Sequence, residues 1–394
     1  MQYEQPALLP EPDELSAEHG ARVRQHIRKK IADAGGQLSF AEFMLEALYA
    51  PGLGYYSAGA TKFGADGDFV TAPEVSAVFG HVLARQCAEV LHEIENGEVL
   101  EFGAGSGKLA VDVLGALEAL DALPSAYRIL EVSPDLVDRQ KKRLQDELPH
   151  LVDRVHWLAE LPAAFAGVII ANEVLDALPI ERFVRRASGV CQLCVATEGA
   201  EFVWTEKEAP GRLATAVTAI EADIGHAFPQ GYTSEVSIAA SSWVADLAGC
   251  LKRGAAFLFD YGVSRREYYA KDRVDGWLRC HFRHHAHNNP LIHPGIQDLT
   301  AWVDFSSIAG AAAEAGLDIL GYQTQAQFLM GGGLEIEMQG FVDLPTAKQL
   351  ELSGQIKTLT LPGEMGENFK CMALARGDIV TPSAFHFADR THTL

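Results

Sequence analysis

Apolar blocks of strand length alternate with helix-period segments through the middle of the chain. Apolar residues that recur every three or four positions indicate amphipathic helices, and short apolar runs bounded by turn residues indicate buried strands. The predicted elements are strands at 99–102, 127–131, 154–158 and 166–172, with helices at 107–119 and 134–147. Strands that alternate with helices in this way predict an α/β fold with a mostly parallel, doubly wound sheet of Rossmann type.

The segments around this core divide the chain into three predicted regions. Residues 1–95 form an N-terminal helical region that contains a long, glycine-rich loop over 54–76, typical of a lid. Residues 96–262 form the Rossmann-like core, with a hairpin inserted near 185–210. Residues 263–394 supply a His-rich segment bordering the substrate cleft and the strands that complete the sheet.

Composition limits the possible partners. The chain has 394 residues, 48% of them apolar, and a formal charge of −21. This acidity argues against nucleic acid or an anionic membrane as partner, because phosphates require clustered Lys and Arg. It favours a cationic substrate, although acidity that serves only solubility explains the charge equally well.

Cysteine usage and the N-terminus indicate a reducing compartment. Six cysteines are scattered along the chain, which is not a disulfide framework, and the single CxxC (Cys191 and Cys194) lies in a strand-like segment. No apolar run approaches the ~18 residues that span a bilayer, so we expect no membrane insertion. The acidic N-terminus lacks a signal-peptide core and an Arg-rich transit pattern, which predicts a cytoplasmic location.

The first predicted strand ends in the sequence EFGAGSGK, with glycines at Gly103, Gly105 and Gly107. Some 24 positions after the last glycine, the next strand ends in Glu131. Glycines allow the backbone to approach a ligand closely, and a carboxylate at the next strand tip can accept both hydroxyls of a ribose. This spacing predicts a site for a nucleoside-bearing ligand.

The fine spacing favours S-adenosylmethionine as that ligand. A dinucleotide site requires a third glycine three residues after the second, where this chain has Lys108. The acid Glu101 before the turn suits a ligand that carries a sulfonium and an ammonium but no phosphate. Two alternatives stay open at this point: NAD(P) or FAD, and a glycine-rich turn that binds nothing.

The fourth predicted strand ends in Asn172 and Glu173, with Asp176 three residues on. If the chain turns helical there, this spacing places both carboxylates on one face. Two carboxylates can hold a guanidinium by its N–H groups and aim one nitrogen at a methyl donor. The alternative is a structural role, in which Asn172 caps a helix and Asp176 forms a salt bridge. Val174 and Leu175 follow without an aromatic residue, which disfavours base methylation.

The chain resembles the MidA family, class I S-adenosylmethionine-dependent methyltransferases related to the mitochondrial complex I assembly methyltransferase. The resemblance rests on motifs that occur in order over residues 20–377, namely FGADGDFVTAPEVSAVFG, EFGAGSGKLA, ANEVLDALP, LFDYG, LRCHFRHHAH, WVDF and GENFKCMAL. It implies arginine methylation of a protein substrate, a subunit of a respiratory NADH:quinone oxidoreductase in the mitochondrial relatives.

The resemblance also implies site residues. It places the segment Gly67 to Ser76 over the cofactor, and Trp302 stands where the family usually has His. The predicted cofactor-binding residues are Glu101, Gly103, Ala104, Gly105, Gly107, Glu131, Val132, Leu158, Asn172, Thr71, Pro73 and Glu74. The predicted catalytic residues are Glu173 and Asp176.

Three further expectations concern metal binding, other methyl acceptors and a non-catalytic role. The His281, His284, His285 and His287 cluster contains two arginines that would oppose a cation, so we expect no metal. A methyltransferase for another protein or small-molecule acceptor would use the same donor pocket and depend less on Glu173. A non-catalytic assembly factor that binds a respiratory subunit would keep the pocket but transfer nothing.

Overall fold

The computed structural model describes residues 9–58 and 71–394, which contain helices and strands in alternation. The strands are β1 Gln37–Ser39, β2 Glu98–Phe102, β3 Tyr127–Leu130, β4 Val155–Leu158, β5 Phe165–Asn172, β6 Glu181–Arg186, β7 Gly189–Glu198, β8 Glu201–Glu208, β9 Thr233–Val236, β10 Leu251–Val263, β11 Arg279–Phe282, β12 His285–His287, β13 Asp298–Thr300, β14 Val303–Asp304, β15 Asp318–Thr324 and β16 Phe369–Arg376.

The helices are α1 Glu14–Asp33, α2 Phe40–Tyr49, α3 Ala72–Val75, α4 Ala77–Leu91, α5 Lys108–Ala119, α6 Pro134–Glu147, α7 Gly211–Ile224, α8 Ile238–Cys250, α9 Arg265–Tyr268, α10 Phe305–Glu314, α11 Gln325–Gly331, α12 Leu334–Glu337, α13 Thr346–Thr360, α14 Met365–Asn368 and α15 Ala384–Phe387.

The chain forms two compact units, each assembled from three separate segments. The first unit comprises residues 1–69, 176–241 and 264–304, and the second comprises 70–175, 242–263 and 305–394. These units cut across the three regions predicted from chain order, because each unit gathers strands that lie far apart in the sequence.

The second unit is built on the predicted Rossmann-type sheet, which confirms the α/β fold class. Its strand order is β15-β16-β10-β5-β2-β3-β4. The strands from β10 to β4 run parallel, whereas β16 is antiparallel to both β10 and β15. The chain crosses from β2 to β3 on one side and later places β5 on the other, which creates the switch in strand order where such sheets bind ligands.

Close strand packing in this sheet depends on a glycine. Gly167 in β5 has a φ of +141°, and a Cβ there would lie 1.9 Å from the carbonyl oxygen of Glu98. The core of the unit packs fully buried side chains such as Val99, Ile170 and Phe257 from the sheet. A larger side chain at position 167 would therefore separate β5 from β2.

The first unit contains two smaller sheets. The five-stranded sheet has the order β1-β7-β6-β9, with β8 on the free side of β7, and the three-stranded sheet has the order β12-β11-β13. The predicted hairpin is thus β7 and β8, and it is part of a larger antiparallel sheet. Helices α1 and α2 bury Val23, Ile27 and Phe43 in the core of this unit.

Local capping signals explain where α1 and α2 begin. Ser39 accepts a hydrogen bond from the Glu42 amide while the Glu42 carboxylate accepts one from the Ser39 amide, and the two bonds together form a capping box. Asp13 caps α1 by accepting from the Ser16 amide at 2.9 Å. This cap explains why α1 begins at Glu14.

Candidate functional site

The register of the parallel strands gathers the predicted ligand-binding positions at one edge of the larger sheet. Phe102, the last residue of β2, lies opposite Leu130 of β3 and Ala171 of β5. The next residues along these three strands, Gly103, Glu131 and Asn172, therefore lie side by side at this edge, with Asn172 as the last residue of β5. This is the edge beyond the carboxyl ends of the strands, where open α/β sheets bind their ligands.

The glycine turn after β2 has a backbone that favours glycine at all three positions. Gly103, Gly105 and Gly107 have φ values of 61°, 51° and 80°. A Cβ at Gly103 or Gly105 would meet no atom of the described residues within 4 Å, so open space lies beside both. The turn therefore presents bare backbone to a space that a ligand can occupy.

Glu131, at the end of β3, has each carboxylate oxygen held by one donor. The Ser133 amide donates to Oε1 at 3.0 Å, and Nε2 of Gln140 donates to Oε2 at 3.1 Å. The main-chain amide of Glu131 donates to the carbonyl of Leu158 at 3.1 Å, which joins two predicted site residues. Burial raises the pKa of Glu131, and the hydrogen bonds from Ser133 and Gln140 partly offset that effect.

Gln140 of α6 is a site residue that the sequence analysis missed. Its side chain is completely buried and also donates to the carbonyl of Gly105 at 3.0 Å. Trp157 in β4 donates its indole N–H to Gln140 Oε1 at 2.9 Å. The sequence did contain a signal, since Gln140 interrupts the buried stripe of Leu136 and Leu144 at helical spacing.

Glu101 in β2 is almost completely buried, and its Oε2 accepts a hydrogen bond of 2.7 Å from the Tyr127 hydroxyl. Burial, and to a smaller extent the charge of the nearby Glu131, raises the pKa of Glu101 to about 7, although the hydrogen bond from Tyr127 opposes the shift. A carboxyl with this pKa responds to charge in the adjoining space, because a cation favours its ionised form.

The segment before α4 also reaches the glycine turn. The Glu74 carboxylate accepts a hydrogen bond from the Ser106 hydroxyl, and Arg143 donates to Ser106 Oγ at 2.7 Å. Thr71 precedes α3 as its N-cap residue, and Pro73 lies buried in the first turn. Of the segment predicted to cover the cofactor, residues 67–70 lie outside the described residues.

Glu173 follows the end of β5 with an unusual backbone conformation. Its φ is 53°, in a region that side chains other than glycine rarely adopt. The Glu173 amide donates to the carbonyl of Phe259 at 2.8 Å, and the Leu175 amide donates to buried Asp260 at 2.8 Å. A strained residue held in this way is typical of functional sites.

Asn172 lies beside Glu173 and donates from Nδ2 to a Glu173 carboxylate oxygen at 3.0 Å. The buried Oδ1 of Asn172 has no hydrogen-bond partner among residues 9–58 and 71–394. A buried acceptor without a donor costs free energy unless a ligand or water completes it. This atom therefore points to a donor supplied from outside the chain.

The helical turn considered for Glu173 and Asp176 does not form. The chain from 173 to 180 makes bends and turns, so the argument that both carboxylates share one helix face fails. Asp176 is buried, and its carbonyl accepts a hydrogen bond from the Ala301 amide at 3.0 Å. It is the first residue of a segment of the first unit, whereas Glu173 belongs to the second unit.

The other predicted positions differ in exposure. Ala104 is buried in the glycine turn, Val132 is 65% exposed after β3, and Leu158 is half-buried at the end of β4. Within the described part of the chain, no group of three or more His, Cys, Asp or Glu side chains is placed to hold a metal ion. None of the helices described there is long and apolar enough to cross a membrane.

The edge of the second unit fits an adenosylated methionine. Bare backbone at Gly103 and Gly105 leaves room for the ligand, and Glu131 offers acceptors for ribose hydroxyls. Glu101 supplies a buried carboxyl group whose ionised form a cationic ligand would favour, and the buried Asn172 oxygen lacks a donor among the described residues. The turn that would bind a pyrophosphate has Lys108 in place of the third dinucleotide glycine.

Comparison with known structures supports the same fold and ligand. A crystal structure of a Burkholderia thailandensis protein bound to S-adenosyl-homocysteine is 40% identical, with a TM-score of 0.92, and covers 98% of this chain and 100% of that chain. A native crystal structure from the same organism is 39% identical, with a TM-score of 0.89 over 98% of this chain and 100% of that chain.

Curated relatives match over most of the chain. The "Protein arginine methyltransferase NDUFAF7, mitochondrial" of Danio rerio is 30% identical over 380 residues, which cover 88% of this chain and 85% of that protein. The Homo sapiens protein of the same name is 28% identical and covers 89% of this chain and 82% of its own length. Because these names are mitochondrial, they do not support the cytoplasmic location expected from the sequence.

A family model described as "Putative S-adenosyl-L-methionine-dependent methyltransferase" matches residues 82–323, more than half of the chain. The match spans the glycine turn, Glu131 and the Glu173 strand tip. The MidA resemblance is confirmed, and with it the cofactor prediction. The chain belongs to this family of S-adenosylmethionine-dependent methyltransferases.

Proposed function

We propose that the protein methylates arginine side chains of a protein substrate, and that this substrate is a subunit of a respiratory NADH:quinone oxidoreductase. The names of the curated relatives support arginine as the acceptor. The net charge of −21 suits a cationic substrate. The observation that carries the proposal is the carboxylate of Glu173, which a strained backbone places at the end of β5 beside Asn172.

The donor site uses the residues at the edge of the larger sheet. S-Adenosylmethionine, when bound, supplies a methyl group activated by a positively charged sulfur. In this proposal Glu131 accepts the ribose hydroxyls and Glu101 offsets the positive charge. The backbone of the glycine turn allows close approach, and Asn172 Oδ1 accepts a hydrogen bond from the ligand. The remaining predicted contacts are Ala104, Val132, Leu158, Thr71, Pro73 and Glu74.

Glu173 orients the acceptor in this proposal. A guanidinium keeps its proton at neutral pH because its pKa exceeds ~12, so a single carboxylate cannot simply deprotonate it. A carboxylate can instead accept two N–H groups, localise the positive charge on them and leave the third nitrogen more nucleophilic. The hydrogen bonds that the Glu173 and Leu175 amides donate hold the backbone around Glu173 in one conformation before substrate binds.

Asp176 is proposed as the second catalytic carboxylate, as the sequence predicted. Its burial and the hydrogen bond to its carbonyl from Ala301 show that its backbone is fixed within the first unit. It also lies near Tyr56, whose pKa is raised mainly by burial and then by Asp298, Tyr49 and Asp176. An Asp176→Asn variant tests this role alongside Glu173.

The decisive experiment compares Glu173→Gln with the wild-type protein. Methylation is measured by mass spectrometry of the respiratory complex from a strain that lacks the gene and is supplied with each version. We expect the deletion strain to lose methyl groups from an arginine, the wild-type gene to restore them and the variant to fall ~100-fold or more in rate. Calorimetric titration should show that the variant still binds S-adenosylmethionine.

Glu160→Gln is the matched control, because this exposed carboxylate follows the neighbouring strand β4. It should methylate like the wild type. Full activity of Glu173→Gln would contradict the guanidinium role. If Glu173→Gln restored an active respiratory complex without any arginine methylation, the protein would act as an assembly factor and not through methyl transfer.

A further inference from the structure

We propose that Gln140 is a positioning residue that couples recognition of the donor's ribose to the shape of the glycine turn. The inference rests on the proposed assignment of Glu131 to the ribose hydroxyls. Gln140 contacts both halves of the donor site, since the same Nε2 atom donates to Glu131 Oε2 at 3.1 Å and to the Gly105 carbonyl at 3.0 Å. These two bonds join the end of β3 to the turn after β2.

The orientation of the Gln140 amide follows from its third partner. Trp157 donates its indole N–H to Gln140 Oε1 at 2.9 Å. An indole nitrogen is a donor only, so the amide oxygen must face Trp157 and the amino group must face Glu131 and Gly105. All three hydrogen bonds are satisfied in this orientation and not in the flipped one.

A carboxamide is the side chain this position requires. It donates two N–H groups and accepts at its oxygen, which matches two acceptors and one donor. A glutamate at position 140 would place a negative charge against Glu131 and the Gly105 carbonyl. An apolar side chain would leave the three partners of Gln140 without their hydrogen bonds, and the site is completely buried.

Gln140 also restricts the rotation of the Glu131 carboxylate. The Ser133 amide holds Oε1 at 3.0 Å and Gln140 holds Oε2, so neither oxygen can turn away. Each carboxylate oxygen accepts through more than one lone pair, which leaves capacity for a hydroxyl on both. Without Gln140 the carboxylate would sample several orientations and would pair with the two ribose hydroxyls less often.

The glycine turn has its own contact with this residue. Gly107 caps α5 with a φ of +80°, and a Cβ at Gly107 would lie 3.3 Å from the Gln140 side chain. The turn therefore packs against Gln140 as well as bonding to it through the Gly105 carbonyl. A change in the position of Glu131 on ligand binding is transmitted to the turn through a single rigid amide.

The test measures discrimination at the ribose, because a merely structural residue would not change it. Calorimetric titration compares S-adenosyl-homocysteine with its 2′-deoxy and 3′-deoxy forms. In the wild type we expect each missing hydroxyl to weaken binding about tenfold, because a hydrogen bond to a charged group is lost. The ratio to be compared is the dissociation constant of a deoxy form divided by that of S-adenosyl-homocysteine. In Gln140→Met, whose side chain has a similar length, this ratio should fall to about threefold or less.

Controls separate positioning from general damage. Gln145→Met, at an exposed position of the same helix, should keep the wild-type ratio. Glu131→Gln should bring the ratio near one, and Gln140→Met added to it should change the ratio no further. Trp157→Phe keeps an aromatic ring but removes the N–H that orients the amide, together with part of the indole, and it should lower the ratio about twofold. This variant tests the proposal even if Gln140→Met fails to fold.

The outcomes distinguish this inference from the function proposed above. An unchanged ratio in Gln140→Met or Trp157→Phe would overturn the positioning role while leaving the donor site intact. The positioning role would also be overturned if the wild type bound S-adenosyl-homocysteine and its deoxy forms equally well. In that case Glu131 would not bind the ribose hydroxyls, and Gln140 would have no such contact to position. Failure of the wild type to bind S-adenosyl-homocysteine at all would overturn the donor site itself.

Discussion

Two completely buried glutamates, one in each unit, differ in how the protein compensates for their burial. Glu235 of the first unit accepts hydrogen bonds from the Trp277 amide and from the Tyr268 hydroxyl at 3.3 Å, and Arg182 Nε lies 3.9 Å from its Oε2. Glu101 of the second unit accepts only the Tyr127 hydroxyl among the described residues. Burial raises the pKa of both carboxyls, yet within residues 9–58 and 71–394 only Glu235 has a cation beside it.

The difference teaches what each carboxylate does. A buried charge with a cation and several donors joins parts of a fold, and Glu235 joins β9 to the segment around Gly276, where a Cβ would overlap its carboxylate. A buried carboxyl with one donor keeps most of its desolvation penalty. Such a group is typical of a binding site, where a ligand completes the compensation. Glu101, with one donor among the described residues, therefore resembles a binding-site carboxyl.

The largest effect is expected for Glu235→Ala. Among the described residues, the substitution leaves Asp275, to which Arg182 donates at 3.1 Å, as the remaining ion-pair partner of the buried Arg182. It also removes the acceptor of the Trp277 amide. We expect the free energy of unfolding to fall by about 3–5 kcal/mol, measured by denaturant titration. Asp275→Asn, at an exposed side chain, should cost less than about 1 kcal/mol. If Glu235→Ala lowered the free energy of unfolding by less than about 1 kcal/mol, the burial of Glu235 would not depend on the charge of Arg182.

An opposite and smaller effect is expected for Glu101→Gln. The pKa of Glu101 is raised to about 7 from 4.5, so ionisation destabilises the folded state as pH rises through this window. The variant should be more stable than the wild type by about 1–3 kcal/mol at pH 8, and this gain should disappear as pH falls toward 4.5. Thermal unfolding between pH 5 and pH 8 measures the difference.

The same variant should bind S-adenosylmethionine about tenfold more weakly at pH 8, because the amide cannot offset the donor's positive charge. Calorimetric titration in parallel with the unfolding experiment measures both. A variant that is less stable than the wild type at pH 8, or that binds the donor equally well, would show that Glu101 has a structural role like that of Glu235.

The smallest effect is expected for Glu98→Gln, which provides a solvated reference on the same strand as Glu101. Glu98 forms a partly exposed ion pair with Arg128, and its Oε1 accepts a hydrogen bond from Arg128 Nη2 at 2.8 Å. Removing the charge should change the free energy of unfolding by about 0–1 kcal/mol and leave donor affinity unchanged. A larger loss in 1 M salt than in low salt would contradict a screened surface pair.

Local sequence patterns were sufficient to predict the helices and strands that surround the proposed donor site. The predicted helix at 134–147 matches α6, and the predicted strands at 99–102 and 127–131 match β2 and β3 to within one residue. The glycine positions were recognisable because positive φ values at a strand-to-helix turn favour glycine, and Glu131 because it ends the next strand. These features depend on residues close together in the chain.

Contacts between distant segments were beyond local patterns. Asp260 accepts a hydrogen bond from the Leu175 amide across 85 positions, and Trp157 in β4 donates one to Gln140 in α6. The helical turn considered at Glu173 does not form because the Glu173 amide donates to the carbonyl of Phe259 in β10. Phe259 lies 86 positions later in the chain. Hydrogen-bond partners at such separations depend on strand order, which periodicity does not specify.

By itself the sequence determined the α/β core, the glycine turn, the acids at the strand tips and the resemblance to a methyltransferase family. Each of these depends on propensity and spacing within a few residues. Only the tertiary structure decided that the chain forms two units of three segments each and that Gln140 bonds to both Glu131 and the glycine turn. It also decided that Glu101 is buried with no cation beside it in the part of the chain that the structure describes. Burial and long-range pairing arise only when the sheet is assembled, because only then does each side chain acquire its neighbours.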